Sequence, residues 1–357
     1  MSDTEPRYRR AAAAVTSADT GAARAAAEHH DRLTKPRGAL GDLEAIGIRL
    51  AAMSGEVPPE VPEPAAVAVF AGDHGVTASG VTPWPSEVTR QMVLNFLAGG
   101  AAINVLARQA NARVVVVDVG VASELDPHDG LLLRKVRAGT GDVSVETAMT
   151  RSEAEAALDV GVDVADQLVD EGARCLLTGD MGIGNTTASA ALIAHFTGRG
   201  AAEVTGRGTG IDDAMWRHKV GVVDAALGRV AEGGVDAVGV LAAVGGLEIA
   251  ALAGYIIGGA ARRVPVIVDG VVAAAGLAVA HALNPTVLDY CIAGHLSAEP
   301  GAKVLLDHLG LTPVISLGMR LGEGTGACLA LPVVQAAALV LREMATFDSA
   351  GVTDKDA

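Results

Sequence analysis

The chain has 357 residues, of which half are hydrophobic and only 3% are aromatic, and its formal net charge at pH 7 is −15. This length suits a large α/β domain with an appendage, and the shortage of aromatic residues predicts a core of small aliphatic side chains. The acidic balance, with no basic cluster to offset it, argues against partners such as nucleic acid or an anionic membrane.

The cysteines and the apolar segments indicate a cytoplasmic protein. Cys175, Cys291 and Cys328 lie far apart within apolar stretches, which predicts buried, reduced thiols. The first ten residues lack the apolar core of a signal peptide. The most apolar segment, 245–276, is interrupted by four charged residues, so no membrane span is predicted.

The N-terminal part of the chain has the pattern of a small helical unit. Residues 8–53 are rich in alanine with charges at helical spacing, which predicts two or three helices. Four prolines in 55–64 predict a connecting arm. We therefore divide the chain into a helical segment with its arm at 1–64, an α/β domain at 65–345, and a frayed polar tail at 346–357.

After the arm, a short apolar run followed by a polar turn and a helical segment recurs six times. The runs lie at 66–70, 113–117, 175–177, 264–268, 286–292 and 313–317. Continuous hydrophobicity predicts strands that are covered on both faces, as in a parallel sheet. We predict a doubly wound, mainly parallel, Rossmann-like α/β fold with a small helical domain, in which ligands bind beyond the carboxyl ends of the strands.

The sharpest motif is the glycine-rich segment 179–187, GDMGIGNTT, between a predicted strand and a predicted helix. Its glycines allow backbone amides to approach an anion, and Thr186 and Thr187 could cap the helix, whose positive end favours phosphate. The segment matches neither a Walker loop nor the full dinucleotide fingerprint. The alternative is an ordinary tight turn.

A second glycine loop, 206–213, precedes a helix that carries Lys219. A lysine at this point could reach a phosphate as a point charge. The alternative is a solvated surface lysine. Two anion-competent loops in succession favour the first interpretation.

Carboxylate and hydroxyl groups follow two later strands. Glu323 lies between two glycines before an apolar helix, which predicts a carboxylate exposed to a cleft. The alternative, a first-turn carboxylate stabilised by the helix dipole, leaves the flanking glycines unexplained. Ser297 could donate to a phosphate or cap the next helix, and His295 is expected to be structural.

Two further helix starts stand out, at 81–104 and at 245–248. Ser86 has the properties of an N-cap, and Gln91 could bind a flat base or be an ordinary exposed glutamine. Glu248 suits a helix dipole, so a structural role is favoured there. We find neither zinc-ligand spacing nor a nucleophile elbow, so the sequence predicts no metal site.

Taken together, these segments resemble the nicotinate-nucleotide–dimethylbenzimidazole phosphoribosyltransferase family over nearly the whole chain. The most specific pieces are the segments 181–187 (MGIGNTT), 206–210 (GRGTG) and 320–327 (RLGEGTGA). The resemblance implies transfer of ribose 5-phosphate from nicotinate mononucleotide to 5,6-dimethylbenzimidazole, which yields α-ribazole 5′-phosphate and nicotinate for cobamide assembly. It also implies a homodimer, in which a small helical domain of one subunit covers the cleft of the other.

The resemblance assigns roles to individual residues. Glu323 is expected to be the general base. The nucleotide and its phosphate are expected to contact Asp180, Gly182, Gly184, Asn185, Thr186, Lys219 and Ser297. The incoming base is expected to contact Ser86, Gln91 and Leu321.

Three positions depart from the family pattern. Asp180 stands where glutamate is common, Val271 where phenylalanine is usual, and Ala302 where a histidine is expected. The first change shortens a carboxylate, and the second leaves more room at a nearby wall of the pocket. Both could therefore widen the range of accepted bases.

The implied chemistry requires one well-placed carboxylate. The ring nitrogen of nicotinate loses its positive charge as it leaves the donor, whereas the attacking benzimidazole must lose its N–H proton to a base. Direct displacement through an oxocarbenium-like state inverts the anomeric carbon. Because a monophosphate donor has no pyrophosphate to clamp, we expect neither magnesium nor another cofactor.

Two other functions stay open at this point. The same phosphate loops would suit a nucleoside phosphorylase or a nucleotidase, and a nucleotide-binding regulatory module would not need a base at Glu323. The range of accepted bases depends on pocket shape, which the sequence does not give.

Overall fold

The computed structural model describes residues 5–231 and 236–353. The strands are β1 (Ala65–Gly72), β2 (Ala112–Gly120), β3 (Leu131–Leu133), β4 (Cys175–Met181), β5 (Val266–Val268) and β6 (Cys291–Ala293). The helices are α1 (Arg7–Ala14), α2 (Thr20–Arg32), α3 (Asp42–Ser54), α4 (Glu87–Leu97), α5 (Ala102–Gln109), α6 (Arg151–Asp170), α7 (Asn185–Thr197), α8 (Ala201–Val204), α9 (Asp213–Ala231), α10 (Ala237–Val244), α11 (Leu247–Ala261), α12 (Val271–Leu283), α13 (Pro300–Leu309), α14 (Thr325–Glu343) and α15 (Phe347–Ala350).

The six strands form one parallel sheet in the order β3-β2-β1-β4-β5-β6. This is the strand order of the doubly wound Rossmann fold, so the predicted fold class is confirmed. Every residue of β1 is buried, because helices cover both faces of the sheet. The strand order reverses between β1 and β4, and a crevice opens there beyond their carboxyl ends.

Two of the six predicted strands differ from the observed ones. Residues Pro285–Tyr290, within the predicted strand 286–292, form a 3-10 helix, and β6 begins only at Cys291. The side chain of Asn284 starts that helix by accepting a hydrogen bond from the amide of Thr286, 2.9 Å away. The segment 313–317 was wrongly predicted as a strand, since it contributes only one isolated bridge, from Ile315 to His295. The sheet's remaining strand is β3, a three-residue edge strand that the sequence analysis did not predict.

Glycines allow the long helices α6 and α11 to cross with their backbones in contact. A Cβ at Gly161 would lie 1.9 Å from the carbonyl oxygen of Ala251, and one at Gly254 would lie 1.9 Å from that of Leu158. All but the last residue of α11 is buried, so this helix forms the centre of the layer. The three cysteines are buried and free, as predicted.

The N-terminal helices pack on two different parts of the molecule. Helix α1 packs on α6 and α11, whereas α2 and α3 pack against α14. Ala26, Ala51 and Leu341 form a small separate core there. In the segment predicted to be a polar tail, Thr346 caps the one-turn helix α15 and forms an antiparallel bridge with Leu33. Residues 354–357 of that tail lie outside the described residues.

Helix α14 is long and apolar enough, by length and composition alone, to cross a membrane. However, 56% of its apolar window is buried inside the protein. Buried positions such as Leu331, Val334 and Ala338 face the sheet and the N-terminal helices. The helix therefore belongs to the core.

Candidate active site

A cleft at the carboxyl end of the sheet brings together loops from distant parts of the chain. It encloses about 1050 Å³ when its open mouth is included. The predicted site residues that line it are Asp180, Gly182, Gly184, Asn185, Thr186, Lys219, Ser297, Leu321 and Glu323. The cleft lies where the strand order reverses, as expected for this fold.

Ser86 and Gln91, the two other residues predicted to bind the base, do not line this cleft. Gln91 is exposed on α4, and Ser86 precedes that helix without a capping hydrogen bond from its side chain. Val81, Thr82 and Met92, from the same region, do line the cleft.

Glu323 lies in a loop whose backbone requires the flanking glycines. The φ angles of Gly322, Glu323 and Gly324 are 82°, 63° and 91°, in the left-handed region that residues with a side chain rarely adopt. A Cβ at Gly324 would lie 2.8 Å from Cγ1 of Val67 and 2.9 Å from the carbonyl oxygen of Thr178. The loop therefore presses on the sheet, and this conformation fixes where the carboxylate points.

The carboxylate of Glu323 is buried at the edge of the cleft. Only 5% of the residue is exposed, and Oε2 accepts a hydrogen bond from the amide of Ile103, 3.2 Å away at the start of α5. Burial raises the pKa of Glu323 and nearby Asp269 raises it further, although the Ile103 amide opposes the shift. A carboxylate with a raised pKa is a stronger base than an exposed one.

Asp269, rather than Glu323, is the carboxylate that stabilises the start of α14. Its oxygens accept hydrogen bonds from the amides of Ala327, at 2.9 Å, and Gly324, at 3.3 Å. The helix-dipole alternative for Glu323 therefore loses its support, and the side chain of Glu323 faces the cleft instead.

Asp180 is a second buried carboxyl group in the cleft. Its Oδ2 accepts a hydrogen bond from the side-chain amide of Asn185 at 3.0 Å, while Oδ1 has no partner among the described residues. Burial, followed by the charges of Asp269, Glu248 and Glu323, raises the pKa of Asp180 well above its usual range. These surroundings favour the neutral carboxyl form more than water does, and that form can donate a hydrogen bond.

The glycine-rich turn after β4 opens the N-terminus of α7 towards the cleft. Gly184, with φ at 94°, occupies the cap position. Thr186 and Thr187 lie inside the first turn, so the prediction that they cap the helix was wrong. The amide of Ile183 donates to Oγ1 of Thr89 on α4, at 3.1 Å. A helix N-terminus of this kind favours an anion.

Lys219 is buried beside this turn, which excludes the alternative of a solvated surface lysine. Only 2% of the residue is exposed, and its Nζ donates to Oγ1 of Thr186 at 2.7 Å. Burial lowers the pKa of Lys219 to about 8, against the opposing charge of Glu299. A buried ammonium group is well suited to an anionic ligand.

Ser297 lies 5% exposed at the same wall, and its Oγ accepts from the amide of Glu299 at 3.3 Å. This bond uses an oxygen lone pair and leaves the hydroxyl hydrogen for a ligand. Ser297 and Lys219 thus bring two donors to one side of the cleft.

Sequence reasoning did not assign a role to Glu299 or Arg320, which organise the second glycine loop. Oε1 of Glu299 accepts from the amide of Gly208 at 2.8 Å, and Nη1 of Arg320 donates to the carbonyl oxygen of Gly208. A Cβ at Gly206 would lie 1.9 Å from Oε2 of Glu299. Glu299 lies two residues after Ser297, and Arg320 begins the segment 320–327 that contains Glu323, so their position beside predicted site residues was the available signal.

Comparison with known proteins gives the class and then the family. The model of a phosphoribosyltransferase family matches residues 15–352, so the protein is an α/β phosphoribosyltransferase, a pentosyltransferase enzyme. The nicotinate-nucleotide–dimethylbenzimidazole phosphoribosyltransferase of Salinispora tropica is 57% identical over 97% of this chain and 99% of its own length. The enzyme of the same name from Chloroflexus aurantiacus is 53% identical over 94% and 96%.

A solved structure agrees with these relatives. The crystal structure of nicotinate-nucleotide–dimethylbenzimidazole phosphoribosyltransferase from Thermus thermophilus matches with a TM-score of 0.90 at 48% identity, over 94% of this chain and 99% of that one. The chain therefore belongs to the nicotinate-nucleotide–dimethylbenzimidazole phosphoribosyltransferase family, and the predicted family is confirmed.

Proposed function

We propose that the protein transfers ribose 5-phosphate from nicotinate mononucleotide to 5,6-dimethylbenzimidazole, with α-ribazole 5′-phosphate and nicotinate as products. The product would supply the nucleotide loop of a cobamide. The names of the relatives support this reaction. The observation that carries it is a buried carboxylate, Glu323, in the same cleft as the anion-binding groups Lys219 and Ser297.

In the proposed mechanism, Glu323 removes the N–H proton of the acceptor as its other ring nitrogen attacks the ribosyl carbon. General-base help of this kind contributes on the order of 10²–10⁴-fold to the rate. Nicotinate leaves as a neutral ring, so no acid is needed at that side. Direct displacement inverts the anomeric carbon from β in the donor to α in the product.

We propose that the phosphate of the donor binds at the cradle formed by Gly182, Gly184, Thr186, Lys219 and Ser297. Backbone amides at the start of α7 and the Lys219 ammonium group supply the positive potential. In its neutral form, the carboxyl group of Asp180, held by Asn185, would donate to a ribose hydroxyl or to the base.

For the acceptor, we propose a pocket at Leu321. Ser86 and Gln91, which do not line the cleft in this structure, would contribute from the neighbouring loop and helix, where Val81 and Met92 do line it. Leu321 and Val271 line the cleft, whereas the buried Ala302 does not. The shorter Asp180 and the smaller Val271 would therefore bear on base selectivity, and product analysis with a panel of aromatic bases tests this directly.

Glu323→Gln provides the main test. We expect turnover to fall by about 10²–10⁴-fold, since the amide cannot accept the proton, while donor binding stays nearly intact. The matched control is Glu171→Gln, which changes a carboxylate on the exposed end of α6 and should leave both quantities unchanged. Unchanged turnover in Glu323→Gln would remove the catalytic assignment.

The same assay separates the alternative functions. The wild-type protein is incubated with nicotinate mononucleotide, with and without dimethylbenzimidazole. Nicotinate release that does not depend on the second base would indicate a hydrolase or a phosphorylase, and binding without any release would indicate a regulatory module.

We propose a reaction that needs neither a metal nor another cofactor. Full activity in excess chelator is the expected result, because the donor carries no pyrophosphate that would need a cation. A loss of activity that added magnesium restores would contradict this.

We further propose a cytoplasmic homodimer with the domain organisation expected from the sequence. Residues 1–64 would belong to a small helical domain that covers the partner's cleft, 65–345 would form the catalytic domain, and 346–357 the tail. Buried free thiols support the cytoplasmic location.

A further inference from the structure

A fully buried pair of ionisable side chains lies behind the glycine turn of the cleft. His74 follows β1, and Glu248 lies in the first turn of α11. Nε2 of His74 and Oε1 of Glu248 are 2.6 Å apart, and the two side chains are 1% and 0% exposed. Burial of such a pair has a large desolvation cost that apolar residues would avoid, so stability alone is a weak reason for its presence.

The imidazole ring packs directly on the backbone of the turn. A Cβ at Gly184 would lie 3.3 Å from Cβ of His74, and one at Gly182 would lie 3.4 Å from its Cδ2. Both glycines line the cleft on their other side. The His74 ring thus forms the floor beneath the turn together with the carbonyl oxygen of Gly72, 2.3 Å from a Cβ at Gly182, and Cγ2 of Thr77, 3.0 Å from a Cβ at Gly184.

Two other glycines, Gly246 and Gly72, lie close to the side chain of Glu248. A Cβ at Gly246 would lie 2.5 Å from Cε1 of His74 and 2.7 Å from Oε2 of Glu248, and one at Gly72 would lie 3.0 Å from that oxygen. Burial alone would lower the pKa of His74, but the carboxylates of Glu248 and Asp73 outweigh it and raise the pKa. A hydrogen bond with an ionised partner is stronger than one between neutral groups.

We propose that His74 and Glu248 are positioning residues that hold the turn at Gly182 and Gly184 in the conformation that binds the phosphoribosyl group of the donor. Neither residue lines the cleft. The inference rests on the proposed function. Without the pair the turn can sink into the vacated space, which weakens donor binding, whereas Glu323 lies on a different loop and keeps its role as base.

The test compares Glu248→Ala with the conservative Glu248→Gln, which keeps an oxygen that can accept from His74. For Glu248→Ala we expect the donor KM to rise about tenfold, the equivalent of one hydrogen bond to a charged group, with kcat and the acceptor KM within about twofold of wild type. For Glu248→Gln we expect a smaller rise in the donor KM, about threefold, because a neutral hydrogen bond remains.

The matched control is Tyr290→Phe. This change removes a partly buried hydrogen bond of 3.0 Å, from the Tyr290 hydroxyl to the carbonyl oxygen of Thr16, just before β6 begins and away from the cleft. We expect it to lower the thermal unfolding midpoint without changing the donor KM. A merely structural role of Glu248 would give the same pattern as this control.

An unchanged donor KM in both Glu248 variants overturns the proposal, and so does an equal rise of both KM values. If Glu248→Ala does not fold, Glu248→Gln decides alone: a rise in its donor KM supports the proposal, and none overturns it. The wild-type protein distinguishes failure of the proposed function from failure of the positioning role. A wild type that does not transfer the group from nicotinate mononucleotide contradicts the proposed function. An active wild type with unaffected variants contradicts only the positioning role.

Discussion

Lys219 shows how burial can convert an ordinary side chain into a binding group with its own pH dependence. The residue is 2% exposed, and burial lowers its pKa to about 8. Below that pH the ammonium group is charged and attracts phosphate; above it the group is neutral. Donor affinity in the free enzyme should therefore fall as the pH rises through about 8.

The prediction is checked by the pH profile of kcat/KM for the donor. We expect a level region at neutral pH and a decline above about 8, since kcat/KM reports the ionisation of the free enzyme. Lys219→Arg is the control, because a guanidinium group stays charged and should abolish the decline even if affinity is lower. A wild-type profile that stays level to pH 10 would exclude Lys219 as the phosphate cation.

Among individual residues, the sequence predicted those that are marked by their immediate neighbours in the chain. Glu323 was identified because adjacent glycines mark an unusual backbone, and the structure shows that backbone. The buried state of Lys219 was left open because its hydrogen-bond partner, Thr186, lies on a different helix. His74 and Glu248 lie 174 positions apart, so no local pattern could have paired them.

Among the elements, the crossing of α6 and α11 depends on glycines rather than on large side chains. A Cβ at Gly254 would lie 1.9 Å from the carbonyl oxygen of Leu158, so the helices would have to separate. Gly254→Ala should destabilise the protein by about 1–3 kcal/mol or more, as overpacked cores do. We expect a clearly lower thermal unfolding midpoint.

Gly221 provides the opposite case within a helix. It lies exposed on α9, and a Cβ there would meet nothing within 4 Å. Gly221→Ala should therefore stabilise the protein by up to about 1 kcal/mol through helix propensity, with a midpoint at or above that of the wild type. If the two alanine variants unfold at the same temperature, close backbone packing is not the function of Gly254.

The predicted elements were right where apolar runs were long and covered on both faces. The core of β1 was predicted, and all its residues are buried. The run 313–317 has the composition of a strand but pairs only through Ile315, because pairing depends on neighbours that composition does not reveal. β3 has three residues and lies at the sheet edge, which is too short for a periodic signal.

On the scale of the whole molecule, the exposed apolar side chains near the cleft bear on assembly. Leu321 lines the cleft and is 57% exposed, and Leu317 on the same loop is 63% exposed. Exposed apolar groups beside a cleft are typical of surfaces that another chain covers. We therefore expect sedimentation velocity to give twice the chain mass of 35.8 kDa.

The proposed dimer also predicts a dependence of activity on concentration. If a partner's helical segment completes the cleft, specific activity should fall when dilution separates the subunits. Constant specific activity of a species with the mass of one chain would contradict the dimer.

The packing of α2 and α3 against α14 sets an order of assembly during synthesis. The ribosome releases α2 and α3 long before α14, and Leu33 can pair with Thr346 only after residue 346 has emerged. Short helices without tertiary contacts are marginal in water. Helices α2 and α3 therefore acquire this support only after α14 has been synthesised, so this part of the core forms late.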